Sequence, residues 1–246
     1  MLNRRQFLIS SGTMIPLNFS TIFLPSVEAQ QSVGKTSNRF LKSNVISVTG
    51  KCYMNGKPIR KTNQIAVNSR FIIPANSELL FEIWDGSTFR LQENTQLTYQ
   101  AGKNFSAELT LDKGKITAVI PPTVQRPYII ATKLISFQLM RKSVCYLQTI
   151  ADIDSFTDQN KKAIQIKEKF DYYLCLCNGD MQILSNFDKR AVWVADAQYH
   201  KSFFIKNLDK KVQVYNTKQY NHINEELANQ ILSGSKHSYP TDWLEQ

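Results

Sequence analysis

Cys175 and Cys177 stand two residues apart in the run Tyr172-Tyr173-Leu174-Cys175-Leu176-Cys177-Asn178-Gly179-Asp180. The run reads as a strand, in which residues two apart share a face, so the two sulfurs are set side by side. Three chemistries are open to such a pair. Joined by His200 and His222, the cysteines can ligate a soft or borderline metal ion such as zinc or copper, because thiolate and imidazole suit both. In an oxidising compartment the four cysteines (Cys52, Cys145, Cys175 and Cys177) allow three complete disulfide pairings. A Cys175–Cys177 bond would be strained, since Cα atoms two apart in a strand lie ~6.5 Å apart, near the upper limit of disulfide geometry. The third reading is that the cysteines are small buried hydrophobes. Leu174 and Leu176 on the opposite face imply a strand buried on both sides.

The histidines have a plainer reading too. His200 follows the strand-like Ala191–Tyr199 and His222 precedes a helical run, so either can simply bond to backbone; His237 sits in a polar tail. Tyr172, Tyr173 and Trp84 read as core aromatics. Catalytic patterns are missing: the chain has no Gly-x-Ser-x-Gly elbow, no Gly-rich phosphate loop and no His-Glu-x-x-His helix. The expectation is a non-enzymatic protein.

The elements that must hold these residues are strands. Val45-Ile46-Ser47-Val48 and Lys51–Pro58 flank small turns, with Asn55-Gly56 as a tight-turn signal. Short β-branched and aromatic runs follow at Phe71–Ile73, Leu79–Trp84, Thr88–Leu91, Ala107–Leu111, Lys115–Ile120, Tyr128–Thr132 and Phe137–Gln148, spaced by Gly, Asn and Asp. Asp85-Gly86 reads as a hairpin turn, Asp85 being the turn residue before Gly86. Asp152–Lys169 is polar and Lys-rich, an exposed loop. Beyond it come Tyr172–Asp180, Met181–Leu184, Ala191–Val194 and Ser202–Ile205. The fold class expected is mainly β, many short strands in a β-solenoid, roll or sandwich-like form. A short C-terminal helix is expected at Asn224–Leu232, with Asn224 as N-cap, acidic residues in the first turn and Gly234 as the stop.

The N-terminus carries an address. Arg4-Arg5-Gln6-Phe7-Leu8 resembles the twin-arginine export signal of bacteria, with departures at Asn3 and Ile9. Ile9–Pro25 is apolar but broken by Ser10, Ser11, Gly12, Asn18 and Ser20, too short and polar to span a membrane. Ser26-Val27-Glu28-Ala29 places small residues before a cleavage site after Ala29. The expected organisation is a signal peptide over 1–29, a flexible leader over 30–44, a β domain over 45–205 and a C-terminal extension over 206–246. The whole chain has 246 residues, 30 basic and 20 acidic, a net of +10. Residues 1–29 hold two arginines and one glutamate, so the mature part keeps a net of +9. Hydrophobic residues at 42% and charged ones at 20% describe a globular chain. Its lysines are scattered, which reads as solvated surface and not a nucleic-acid footprint. No second stretch is long and apolar enough to span a membrane, so the mature form is expected to be soluble and periplasmic.

In order, the blocks resemble the FecR domain family. Its Val-x-Gly opening matches Val48-Thr49-Gly50, its Asp-Gly-Ser hairpin matches Asp85-Gly86-Ser87, and its later strands ending in Gly match Leu109–Gly114. Arg141-Lys142-Ser143 stands where the family has Arg-Gly-Thr, with Lys142 in place of Gly. The second half is similar to a standalone exported subgroup with a Tyr-x-Cys-x-Cys-x-Gly strand, a later His and a His-x-x-Glu-Glu-Leu helix. Here these are Tyr173–Gly179, His200 and His222–Leu227. The resemblance spans about 45–232. It implies a sensing or binding module for a small ligand or an envelope protein, without the sigma-factor relay of membrane-anchored members. Gly50, Asp85, Gly86, Ser87, Gly114 and Gly179 are its turn and structural positions. The metal- or redox-active reading of Cys175, Cys177, His200 and His222 stands beside it.

Overall fold

Alternation of apolar and polar side chains generates strands such as Ser69–Ile73 and Thr95–Ala101, whereas mainly apolar runs such as Lys115–Ile120 and Ser143–Thr149 form strands buried on both faces. The structure is a computed structural model that describes residues 43–102, 106–150, 156–157, 163–164, 169–187, 190–197, 200–218 and 220. All lie within the unit Arg39–Gln246. The first strands are β1 (Ser43–Thr49), β2 (Tyr53–Met54), β3 (Lys57–Pro58), β4 (Gln64–Ile65) and β5 (Ser69–Ile73). Next come β6 (Glu78–Glu82), β7 (Thr88–Leu91), β8 (Thr95–Ala101), β9 (Ala107–Lys113) and β10 (Lys115–Ile120). β11 (Tyr128–Ala131), β12 (Ile135–Leu139) and β13 (Ser143–Thr149) precede the two-residue strands β14 (Phe156–Thr157) and β15 (Ala163–Ile164). The last are β16 (Tyr172–Ser185), β17 (Ala191–Ala197), β18 (Lys201–Leu208) and β19 (Lys211–Thr217). The protein is mainly β, and all secondary structure among the described residues is strand. The helix expected at Asn224–Leu232 lies outside those residues.

Apart from the β14–β15 pair, pairing separates the strands into two sheets that share one member. The first runs β4-β1-β6-β7-β10-β13-β16-β18-β19, antiparallel throughout. The second runs β3-β2-β5-β8-β9-β11-β12-β16-β17, with only β9 and β11 parallel. β16 gives residues 172–178 to the first sheet and 179–185 to the second. Between the sheets lies an apolar interior with an aromatic row through it. Phe71 of β5 stacks on Phe81 of β6 at 5.2 Å, Phe81 on Phe89 of β7 at 5.4 Å, and Phe89 meets Tyr128 of β11 at 5.5 Å. All four are fully buried. Such aromatic pairs add about 0.5–1.5 kcal/mol each beyond the area they bury.

Gly179 is the corner where β16 leaves one sheet for the other. Its φ is +89°, and a Cβ there would run into the Lys142 carbonyl oxygen and the Ser143 side chain. Lys142 itself has φ +59°, so a left-handed turn joins β12 to β13 even though a side chain occupies the position where the motif has Gly.

Several expectations need correction. Among the described residues the first strand starts at Ser43, and β18 runs on to Leu208 and pairs with β19. The turn that joins them is Asp209-Lys210, both with positive φ. That is the geometry of the tight hairpins that suit strand twist, formed here without glycine. The loop expected over Asp152–Lys169 contains the small β14–β15 pair. Trp84, expected in the core, is 42% exposed. It falls in the β6–β7 turn, where the inward-outward alternation has already stopped.

Candidate metal and thiol site

The shared strand puts different chemistry on its two faces. Leu174 and Leu176 point into the main interior, with Tyr172 beside them. Tyr173, Cys175 and Cys177 point the other way, into a second cluster with Val119, Val144, Tyr146, Phe170 and Phe204. Strand alternation therefore sets the two sulfurs on one face, as the sequence predicts. Register adds a feature that the sequence hides. Leu176 pairs with Cys145 and Asn178 with Val144, so Cys177 is the extra residue of a β-bulge. Bulges bend a strand and re-aim its side chains, and they recur beside functional sites.

β18 supplies the next part. Its antiparallel pairing with β16 places Ser202 opposite Cys175 and Lys201 opposite Leu176, and His200 stands just before it. The Cys175 sulfur lies 3.7 Å from the Cys177 sulfur and 3.7 Å from His200 Nδ1. All three ligand atoms fall within 4.8 Å of one another. Cys175 is fully buried, Cys177 is 8% exposed and His200 is half-buried. Two sulfurs ~2.3 Å from one tetrahedral ion are ~3.8 Å apart, and a sulfur and an imidazole nitrogen ~3.6 Å. The two separations from the Cys175 sulfur match two edges of such a site, and the Cys177 sulfur and the His200 ring lie within 4.8 Å of each other.

Electrostatics favour a thiolate at Cys175. A hydrogen bond from the Cys177 thiol is the largest influence; burial opposes it, and His200 and the Ser202 hydroxyl add to it, leaving the Cys175 pKa lowered to about 5. Neighbouring groups respond to burial and to that charge. Burial, then Cys175, pushes Cys145 up to about 12, and the same two causes raise Tyr173. Tyr173 therefore keeps its proton, and its hydroxyl donates to Ser202 Oγ at 3.3 Å while accepting from the Tyr220 backbone N–H at 2.9 Å. Asn178, next in the bulge, is buried, and its side-chain nitrogen has no hydrogen-bond partner among the described residues.

The other predicted positions do not join this site. Cys52 and Cys145 are buried in the main interior, where Cys52 donates to the Glu78 carbonyl at 3.3 Å. None of the four cysteines, all among the described residues, is in a disulfide. Gly50 follows β1, and Gly114 separates β9 from β10. Asp85, Gly86 and Ser87 form the β6–β7 turn: Asp85 accepts from the Ser87 backbone N–H at 3.0 Å and from the Tyr128 hydroxyl at 2.5 Å. Arg4, Arg5, Phe7, Leu8, Ala29 and His222 lie outside the described residues. Ser202 was not foreseen as a site residue, because only the β16–β18 register brings it opposite Cys175. No family model and no curated protein matches the chain.

Proposed function

We propose that this protein is an exported, FecR-like β module of the periplasm whose ligand is a soft metal ion, zinc or copper, held by Cys175, Cys177 and His200. One observation carries the reading: two sulfurs and a ring nitrogen from neighbouring strands sit at ligand-to-ligand spacing before any ion is added. The thiolate at Cys175 is the form a metal binds, and a thiol proton on Cys177 leaves when the ion arrives, so uptake weakens as the pH falls. The unpartnered Asn178 amide adds polar capacity at the same bulge. Support for the frame comes from the ordered Val-x-Gly, Asp-Gly-Ser and Tyr-x-Cys-x-Cys-x-Gly blocks and from the Arg4-Arg5 leader.

Elemental analysis with thiol counting on protein taken from the periplasm tests the site. One zinc or copper per chain, lost in Cys175→Ser and in Cys177→Ser, is expected; a metal-free protein that takes up neither ion overturns the reading. The sulfur separation favours thiol redox as the second reading. In that case a disulfide oxidant takes two electrons from Cys175 and Cys177, two thiols per chain vanish and no metal is found. Replacing Arg4-Arg5 by Lys-Lys should leave the precursor in the cytoplasm, and undiminished export would refute the twin-arginine route.

A further inference from the structure

The chain's lysines are scattered overall, yet one stretch carries a single sign of charge. From Gln30 to Ser77 there is no aspartate or glutamate, and there are eight lysines and arginines. Five of these eight, Lys51, Lys57, Arg60, Lys61 and Arg70, fall among the described residues, and all five are exposed. The β2–β3 hairpin gathers them. Its ladder pairs Met54 with Lys57 and is extended by the Ile59 backbone N–H, which donates to the Cys52 carbonyl at 2.8 Å and so brings Arg60 and Lys61 up to Lys51. On its other side β2 pairs with β5, and the Asn55 side chain accepts from the Arg70 backbone N–H at 2.8 Å, so Arg70 lies beside the hairpin tip. The ion pair seen among the described residues joins Arg90 to Glu78 and uses none of the five.

Like charges gathered on one hairpin and its neighbour, with no counter-charge among them, attract an anionic surface. Three features of the segment choose among anionic partners. β3, at the edge of its sheet, is two residues long and contains Pro58, so it offers a partner peptide almost no ladder. Phe71 is fully buried and Tyr53 half-buried, which leaves no exposed ring in the segment for bases to stack on. Val67 is 47% exposed in the turn between β4 and β5, with Ala66 and Asn68 beside it also exposed. An apolar tip flanked by cations suits lipid headgroups, where the apolar side chain enters the layer and the cations stay level with the phosphates. We propose that Lys51–Arg70 is a docking surface for an anionic phospholipid bilayer, with Val67 entering the headgroup layer and the five cations lying over the phosphates. The contact is peripheral and reversible, and it does not depend on the metal reading.

The test uses the full mature chain and sedimentation with vesicles of phosphatidylcholine, either alone or mixed equally with phosphatidylglycerol. Binding to the mixed vesicles only is expected. It should fade between about 0.1 M and about 1 M salt, as the screening length falls from about 10 Å to about 3 Å. Each charge removed by Lys57→Gln, Lys61→Gln or Arg70→Gln should weaken binding roughly fivefold, while Val67→Ser should weaken it with little change in the salt dependence. Lys210→Gln combined with Lys211→Gln removes two other exposed charges, at the β18–β19 turn, and should leave binding near that of the wild type. Melting temperatures show that each variant folds. A loss per charge at Lys210 and Lys211 equal to that at Lys57 and Lys61 overturns the surface, because net charge alone would then account for the binding. Equal binding to both vesicle types overturns it too. So does a failure to sediment with either, whether or not the protein captures a single-stranded oligonucleotide.

Discussion

Cys175 is the residue at which burial and charge compete, and hydrogen bonding decides the outcome. Full burial alone would raise a thiol pKa, as it does at Cys145. Donors from Cys177, Ser202 and His200 reverse that sign. The pH dependence follows from the direction. A thiol at about 5 in the folded chain, against an ordinary 9.0, stabilises the fold above pH 9.0. That contribution is lost progressively as the pH falls through the folded value. The difference in melting temperature between metal-free wild type and Cys175→Ser should shrink between pH 9.0 and about 5. A difference that grows on acidification would show that the thiolate is not the native form. Side-chain deletions in the aromatic row give the contrasting case. Phe81→Ala should cost about 3–5 kcal/mol in a denaturant titration, whereas Trp84→Ala, at an exposed turn, should cost under about 0.5 kcal/mol.

β16 is the element that makes the site, and its crease at Gly179 sets where the site can be. A side chain there meets both a left-handed φ and the backbone of Lys142. Gly179→Ala should therefore lose at least about 1–3 kcal/mol from the backbone conformation alone, with the overlap adding to it. Gly56 also has a positive φ, but nothing lies within 4 Å of its missing Cβ, so Gly56→Ala should stay near 1 kcal/mol. Equal losses at the two positions would contradict the crowding described at the crease. Period-two alternation is readable in a sequence, which is why the common face of Cys175 and Cys177, and the burial of Leu174 and Leu176 on the other face, could be foreseen. Register is a property of two strands at once. The bulge at Cys177 and the approach of His200 and Ser202 depend on how β13 and β18 slide against β16, and no single stretch of residues encodes that. The Asp209-Lys210 hairpin is not legible in the sequence for a different reason: its signal is a conformation, and the residues adopting it are not the ones usually associated with it.

For the whole molecule, a strand common to two sheets makes their stabilities one quantity. Trp84 lies in a turn of the first sheet and Trp193 on β17 of the second. In urea their fluorescence, isolated in single-tryptophan variants, should report one midpoint, coincident with far-ultraviolet circular dichroism. Separate midpoints would mean that the crease behaves as a boundary between domains. The same strand also has a consequence in time. Chains emerge from the ribosome N-terminus first. β12 and β13 then wait as bare edges of their respective sheets until residues 172–185 have been made, because β16 pairs with both. Neither half can be sealed early, and every nascent chain passes through an interval with two open, sticky borders. Closure of both sheets is thereby deferred until late in synthesis, and the nascent chain stays open at two places at once for as long as β16 is missing.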